Sequence, residues 1–247
     1  MPELPDIFVL ARSMRPALTG RRIAAVAVHQ PKCLNRSPEV FAAAIVGSTI
    51  RGADQRGKWV LLPLDSGDHL ALNLGMGGEA CLHQAHEMPS PDRERAVLRF
   101  ADDAQLWVHF WWFGHLHLLP GGDHSQHPQL ARLGPEPLAP GFSAPSLQAI
   151  LAGRRGPIKR YLLDQTLIAG IGKVYIQDIL WRARLHPLRP ARDLSADDVA
   201  RLHAAIQTTL QEGIRWGGGP REKDVWGSEG TYPLHYQVAY RPGRPCP

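Results

Sequence analysis

The sequence has no long apolar run and little cysteine. A membrane span needs about 18 consecutive apolar residues, and no uninterrupted stretch is that long. The first residues, MPELPDIF, contain acids, whereas a signal peptide begins with a basic and then an apolar segment. We therefore expect an unexported, cytoplasmic protein without a membrane span. Cys33, Cys81 and Cys246 lie far apart and form neither a disulfide framework nor a CxxC metal pair, which favours a reducing compartment.

The composition is that of an ordinary globular protein with a small basic excess. The 247 residues are 44% hydrophobic and 21% charged, which is enough for one large core or two modest ones. Lysine and arginine exceed aspartate and glutamate by 28 to 23, a formal net charge of +5. This excess favours a polyanionic partner, although many basic proteins bind no nucleic acid.

The N-terminal half predicts one helix followed by strands. Apolar residues from Ile7 to Met14 recur at helical spacing, and the pattern stops near Gly20. From Arg22 to about Trp112, short apolar segments alternate with turns. The predicted strands are RIAAVAVH, KWVLLPL, HLALNL, AVLRF and QLWVHFWWF, the last covering residues 105–113. Short hairpins at close spacing predict a β-sandwich.

The C-terminal half predicts helices after a linker. Residues 120–146 are crowded with Pro, Gly and Ser, which is typical of a linker. Predicted helices follow at 147–151, 158–163 and 174–183, and a capping box of Ser195 and Asp198 starts a fourth. Residues 217–247 predict a long loop that ends in extended structure.

These patterns predict an α+β fold in three parts. Residues 1–124 form a β-sandwich domain preceded by a helix, and residues 125–146 form the linker. Residues 147–247 form a helical domain. No internal repeat is present.

The start of the chain, MPELPD, offers a nucleophile. Removal of Met1 ahead of a small residue leaves Pro2 with a free secondary amine, which titrates near about pH 8 and is partly unprotonated at neutral pH. Attack of this amine on a sugar anomeric carbon yields an iminium, and Glu3 is placed to protonate a departing group or the ring oxygen. The alternative is that Pro2, Glu3, Pro5 and Asp6 only start and cap the first helix, where Pro and acids are favoured.

A second pattern lies at residues 157–187, PIKRYLLDQTLIAGIGKVYIQDILWRARLHP. Two helical segments flank the turn AGIG, whose glycines let backbone amides approach a phosphate, and the next helix points its positive N-terminus at the same place. We expect a hairpin that grips the DNA backbone through Lys159, Gly172 and Lys173. The alternative is a tight turn between two helices.

Together, MPELPD, RGKW, NLGM, LGPEPL and the LLDQ…IAGIG…YIQDIL stretch resemble the formamidopyrimidine-DNA glycosylase/endonuclease VIII family, in that family's order and spacing. The resemblance implies a β-sandwich and a helical domain with a helix–two-turn–helix, with DNA in the cleft between them. It also implies that Pro2 is the Schiff-base nucleophile, Glu3 the general acid and Lys58 a lysine that contacts phosphate and assists catalysis.

The implied function is that of a bifunctional DNA glycosylase/AP lyase. Such an enzyme excises oxidised or ring-opened bases from lesion-containing duplex DNA through a Schiff base on Pro2, and β/δ-elimination follows. The damaged nucleotide is flipped out, and Met76 and Phe113 match two positions that fill the gap. Either residue is equally suited to core packing. We expect a monomer that acts at the bacterial nucleoid.

The sequence departs from the family pattern at several positions. Trp111 stands where the family commonly has an arginine that pairs with the orphaned base, and tryptophan stacks but cannot form those hydrogen bonds. Lys173 replaces an asparagine and keeps only donor capacity. Asp6 replaces a glutamate and Asn73 a histidine.

The resemblance also covers the C-terminal region. Cys246 stands where the family's zinc hairpin has its first cysteine, and the other three of the four tetrahedral ligands are missing from the sequence. We therefore expect a truncated or absent hairpin and no complete zinc site, although relatives hold zinc there. Loop 217–233 falls where relatives carry a lesion-capping loop, and its Arg221 is expected either to touch phosphate or to be solvated.

Two other functions stay open at this point. One is a DNA-damage binding protein with little catalysis, which the replaced residues and the missing hairpin favour. The other is a glycosylase specialised for bulky alkylated or cross-linked bases, in which Trp111 and Trp112 take the place of base-pair readout.

Overall fold

The computed structural model describes residues 1–245 and 247, so the candidate zinc ligand Cys246 lies outside the described residues. The α-helices are α1 (Leu4–Leu18), α2 (Pro38–Ile45), α3 (Ala144–Leu151), α4 (Ile158–Leu162), α5 (Tyr175–Arg182) and α6 (Ala196–Arg215). The strands are β1 (Ile23–Val28), β2 (Asp54–Arg56), β3 (Trp59–Pro63), β4 (His69–Asn73), β5 (Glu79–His83), β6 (Ala96–Phe100), β7 (Gln105–His109) and β8 (His115–Leu119).

The strands form two four-stranded antiparallel sheets. Their strand orders are β1-β6-β7-β5 and β2-β3-β4-β8. Alternate residues of both sheets point into one shared core, with Leu98 and Val108 from the first sheet and Leu70 and Leu72 from the second all fully buried. The predicted α+β class, with a β-sandwich preceded by a helix, is confirmed.

Helix α1 joins the sandwich to the helical region. The predicted stripe of Ile7, Leu10 and Met14 is buried in the sandwich core. At the helix start, the backbone N–H of Leu4 donates to the carbonyl of Gly170 at 3.0 Å. This bond fixes the N-terminus of the chain beside the turn that precedes α5.

The helices beyond residue 140 surround a second core. Tyr175 and Ile179 of α5 pack against Leu202 and Ile206 of α6, and all four are fully buried. The capping box of α6 forms as expected, since the Ser195 hydroxyl accepts from the Asp198 N–H at 3.1 Å and the Asp198 carboxylate accepts from the Ser195 N–H at 3.0 Å. Helices α4 and α5 flank the AGIG turn.

The structure corrects two of the predicted segments. The strand predicted over 105–113 ends at His109, and residues 110–113 leave the sheet to pair with the loop at Met76, an arrangement in which Phe113 takes φ +57°. The extended end predicted for residues 217–247 is wrong for the described residues 232–245, which contain a 3-10 turn and no strand. The reason is that the buried carboxylate of Asp178 accepts the N–H groups of Gln237 and Val238, at 3.1 and 3.0 Å, which a strand would have used.

Helix α2 and strands β2, β5 and β8 are additions to the predicted elements. Over residues 1–245, no helix combines the length and the apolar character needed to cross a membrane.

Candidate active site at the N-terminus

Two clefts meet at the beginning of the chain. One, of about 420 Å³, is lined by Met1, Glu3, Lys58, Met76 and Lys173 among others. The other, of about 470 Å³, is also lined by Met1 and Lys58, together with Asn73, Phe113 and Arg132. The fold thus brings Lys58, which is 55 positions away in sequence, to the N-terminus and Glu3. Pro2 is buried directly behind Met1.

Glu3 is held by the turn before α5. Its carboxylate is 2% exposed and accepts the backbone N–H groups of Gly172 and Val174, each at 2.8 Å. A Cβ at position 172 would lie 2.3 Å from Cδ of Glu3, so the glycine is needed to admit the carboxylate. The amides that we expected to hold a DNA phosphate hold this carboxylate instead, since a helix N-terminus attracts any anion.

The environment of Glu3 suits it to give up a proton near neutral pH. Burial raises its pKa from 4.5 to about 7, even though Lys58 and the backbone N–H groups of Val174 and Tyr175 favour the ionised form. A carboxyl group of this kind is partly protonated at physiological pH. It is therefore able to act as a general acid.

The Asp6 carboxylate accepts hydrogen bonds from three segments of the chain next to Glu3. One carboxylate oxygen accepts the Glu3 N–H at 2.6 Å, and the other accepts the Gly219 N–H at 2.7 Å and the Tyr175 hydroxyl at 2.8 Å. Burial raises the pKa of Asp6, and these hydrogen bonds oppose that change. The bond from the Glu3 N–H to Asp6 is the capping role expected for Asp6 at the start of α1, and the contacts with Gly219 and Tyr175 are additional.

Lys58 lies on the turn between β2 and β3, and Glu136 fixes that turn. The Glu136 carboxylate accepts the Gly57 N–H at 2.5 Å and the Arg56 guanidinium at 2.8 Å. On the other side, the Asn73 side chain donates to the Lys58 carbonyl at 3.0 Å. Burial lowers the pKa of Lys58, while Glu3 and Asp6 raise it. Glu136 and Asn73 are positioning residues that the sequence did not reveal as such.

Three predicted DNA-contacting residues lie on one exposed rim. Met76, Trp111 and Phe113 are 46%, 62% and 73% exposed. They share this rim because the Met76 N–H donates to the Trp112 carbonyl at 2.9 Å and the Trp111 N–H donates to the Met76 carbonyl at 3.0 Å. Such exposure is incompatible with the core-packing alternative for Met76 and Phe113.

The remaining predicted contacts differ in position. Lys173 is exposed and lines the 420 Å³ cleft. Arg221 is exposed on its loop with φ +63°. Lys159 is half-buried, donates to the Gln177 side chain at 3.4 Å and is not among the residues that line either cleft. The structure therefore groups Lys173, but not Lys159, with Glu3 and Lys58.

A zinc site would need several ligating side chains close together. Within the part of the chain that the structure describes, no three His, Cys, Asp or Glu side chains are arranged to hold a metal ion. The described residues therefore do not fit the zinc site that the family resemblance implies.

Comparison with known protein families gives two matches that together span most of the chain. Residues 1–127 match the formamidopyrimidine-DNA glycosylase N-terminal domain, and residues 133–224 match the formamidopyrimidine-DNA glycosylase H2TH domain. Among curated proteins, the formamidopyrimidine-DNA glycosylase of Moorella thermoacetica is 40% identical in an alignment of 251 positions that covers 100% of this chain and 91% of that protein. That of Chloroflexus aurantiacus is 40% identical in an alignment of 262 positions that covers 100% of this chain and 89% of that protein.

Solved structures give the same result. The MutM (Fpg) protein of Thermus thermophilus superposes with a TM-score of 0.87 at 34% identity, covering 100% of this chain and 90% of that one. The Lactococcus lactis enzyme bound non-covalently to DNA that contains an AP site superposes with a TM-score of 0.89 at 28% identity, covering 99% of this chain and 90% of that one.

Proposed function

Because the chain belongs to the formamidopyrimidine-DNA glycosylase family, we propose that it is a DNA glycosylase that removes damaged bases from duplex DNA and then cleaves the abasic site. Ring-opened purines, the formamidopyrimidines, are the substrates suggested by the names of its relatives. Its place of action is then where the chromosome lies, in the cytoplasm at the nucleoid.

The proposed nucleophile is the secondary amine of Pro2, exposed when Met1 is removed. Its lone pair attacks C1′ of the damaged nucleotide, and the base departs with the electron pair of the glycosidic bond. Opening of the sugar ring then gives an iminium between Pro2 and C1′. The iminium acidifies the C2′ proton, so that β-elimination breaks the 3′ C–O bond and a second elimination breaks the 5′ C–O bond, with a phosphate leaving each time. Water then hydrolyses the iminium and frees the sugar remnant from Pro2.

Glu3 and Lys58 have separate roles in this proposal. Glu3, with a pKa near 7, gives its proton to the ring oxygen as the ring opens. Lys58 lines both clefts and contacts a DNA phosphate there. Because the charge of Lys58 favours the ionised form of Glu3, it also stabilises the carboxylate that is left after proton transfer.

DNA is proposed to lie across the rim that carries Met76, Trp111 and Phe113. Apolar side chains of this size fill the gap that an extruded nucleotide leaves in the stack. Lys173 and Arg221, both exposed, supply positive charge for the phosphates on either side. Lys159 and Gly172 have weaker support as DNA contacts, because Gln177 and Glu3 respectively occupy their polar groups.

The proposal depends above all on one observation: the N-terminus, Lys58 and Glu3, whose pKa is raised to about 7, line one cleft. The test is borohydride trapping of the purified protein on duplexes that contain an abasic site or a ring-opened guanine. We expect a covalent protein–DNA adduct, and strand cleavage when borohydride is left out. Tight lesion binding without adduct or cleavage would favour a damage-binding protein instead.

A second candidate substrate class is a bulky alkylated or cross-linked base. The observation that favours it is the pair Trp111 and Trp112, which are 62% and 65% exposed beside the cleft and offer a large stacking surface. Excision assays that compare ring-opened guanine with a bulky adduct of the same base separate the two classes. No excision of the bulky adduct would remove this candidate.

A further inference from the structure

We infer that Glu222 is the proton acceptor for the catalytic amine, an inference that rests on the proposed role of Pro2. Glu222 lies in loop 217–233, more than two hundred residues from the N-terminus in sequence. One of its carboxylate oxygens lies 3.9 Å from the terminal ammonium nitrogen, and its side chain is only 16% exposed. It is thus a largely buried carboxylate that faces the beginning of the chain.

The same carboxylate faces Pro2 when Met1 is absent. The terminal nitrogen of Met1 and the nitrogen of Pro2 are separated by three bonds, so they lie within about 4 Å of each other. Removal of Met1 therefore moves the free amine by at most that distance. Rotation about the side-chain bonds of Glu222 covers such a displacement.

Unlike the carboxylates of Glu3 and Asp6, the Glu222 carboxylate accepts no side-chain or backbone hydrogen bond in residues 1–245. Both oxygens of Glu3 accept backbone N–H groups of the turn before α5, and both oxygens of Asp6 accept N–H or O–H groups. For Glu222, the terminal ammonium is the sole cation within salt-bridge distance in residues 1–245. A proton from the amine therefore has one free acceptor.

The loop holds Glu222 in place from both sides. Before it, the Gly219 N–H donates to Asp6 at 2.7 Å. After it, the Lys223 ammonium donates to Glu79 at 2.7 Å, and Val225 is buried in the sandwich core with its N–H donating to the Ser13 hydroxyl at 3.0 Å. A side chain anchored at both flanks is positioned rather than freely solvated.

The charges around Glu222 give its carboxylate a high proton affinity, which favours proton transfer to the ionised carboxylate from a cationic nitrogen. Burial raises its pKa to about 8, Asp6 and Glu3 act in the same direction, and the terminal ammonium opposes them. An α-amino group also titrates at about 8, so transfer of a proton between the two groups is close to balanced. Lys58 is the other charged group of this cluster, and it acts on Glu3 and Asp6.

Proton transfer to Glu222 falls between attack and ring opening. The Pro2 lone pair forms the N–C1′ bond while the C1′–base bond breaks and its electrons leave with the base, which takes a proton from water. The nitrogen is now cationic and passes its N–H proton to Glu222. Its regenerated lone pair forms the C=N bond of the iminium as the C1′–O4′ bond breaks, and O4′ takes the proton of Glu3.

The test is the pH dependence of adduct formation in Glu222→Gln, measured with cyanoborohydride on a duplex that contains a ring-opened guanine under single-turnover conditions. The rate constant falls at low pH because the amine becomes an ammonium, and we call this part of the pH profile the acidic limb. The Glu222 carboxylate stabilises the ammonium form of the amine, so its removal lowers the apparent pKa of the acidic limb. The maximal rate constant falls at least about tenfold, because the proton acceptor is lost. Glu222→Asp should restore part of that rate.

Glu229→Gln is the matched control, since Glu229 is exposed on the same loop. This variant should change neither the apparent pKa of the acidic limb nor the maximal rate constant. An unmoved acidic limb in Glu222→Gln would overturn the inference even if the rate falls, because a purely structural defect lowers the rate at every pH. If the wild-type protein, with Met1 shown by mass to be removed, forms no adduct at all, the proposed function fails instead.

Discussion

The carboxylate of Glu3 occupies the space that a side chain at Gly172 would fill, with 2.3 Å between Cδ of Glu3 and the position of such a Cβ. The two residues are 169 positions apart and joined by a hydrogen bond of 2.8 Å. This contact places the proposed general acid at the junction of the β-sandwich and the helical region. The AGIG turn therefore serves the chemistry directly, through the backbone that receives Glu3.

Replacing Gly172 with alanine should expel the Glu3 carboxylate from this position. We expect at least about a hundredfold loss in the rate of base excision, as for loss of a general acid. Binding of abasic-site DNA should change far less. The control is Gly141→Ala, because a Cβ at position 141 meets nothing within 4 Å and the residue has no left-handed φ. Equal excision rates in the two variants would remove Glu3 from the mechanism.

Protein stability should depend on pH through Glu3. Its pKa is about 7 in the folded protein against an ordinary value of 4.5, so the folded state binds this proton more tightly than the unfolded state does. The stabilisation is complete below pH 4.5 and is lost as the pH rises through 7. At about 1.4 kcal/mol for each tenfold change in proton affinity, the loss approaches about 3 kcal/mol.

Denaturant unfolding of wild type and Glu3→Gln at several pH values measures this effect. Glutamine does not titrate, so the free energy of unfolding of the variant should rise relative to wild type as the pH increases from 4.5 to 7. A difference between the two proteins that stays constant over this range would contradict the raised pKa of Glu3.

Glu136 should be required for the position of Lys58. In Glu136→Ala, the Gly57 N–H and the Arg56 guanidinium lose their shared acceptor, which should cost about 2–3 kcal/mol of folding free energy. The rate of strand cleavage at an abasic site should fall as well, because the β2–β3 turn loosens. Thermal melts and cleavage assays beside the exposed control Glu229→Ala check both effects. Loss of stability with full cleavage activity would make Glu136 purely structural.

Trp111 should contribute to DNA binding and not to stability. Its ring is 62% exposed, so Trp111→Ala should leave the melting temperature unchanged. Affinity for a lesion-containing duplex should fall about tenfold, since stacking of one base on an aromatic side chain is worth about 1–3 kcal/mol. Fluorescence anisotropy compares this variant with Trp181→Ala, a change at the C-terminal end of α5. Equal affinities of the two variants would place Trp111 outside the DNA interface.

Local patterns were sufficient for most of the architecture. The apolar spacing from Ile7 to Met14 predicted α1, and the Ser195–Asp198 pair predicted the start of α6, because both signals depend on neighbours in sequence. The end of β7 was missed since the run after His109 is aromatic and continues the appearance of a strand. Its departure from the sheet is set by hydrogen bonds to Met76, which no local pattern encodes.

The candidate site was likewise predictable from the sequence only in part. Pro2, Glu3 and Lys58 stood out through motifs and resemblance, and the structure brings the N-terminus, Glu3 and Lys58 to one cleft. Glu136 lies within the LGPEPL motif without an assigned role and Glu222 lies in no motif, because each acts through contacts with residues distant in sequence. A charged residue in a loop rich in glycine reads as solvated until its partners are known.

The central claim is that the amine of Pro2 becomes covalently bonded to deoxyribose. The most direct measurement is protease digestion and tandem mass spectrometry of the borohydride-trapped complex, after intact mass has established that Met1 is absent. The account predicts that the sugar remnant is found on the nitrogen of Pro2. A remnant on the side chain of Lys58 or Lys173, with Pro2 unmodified, would contradict it.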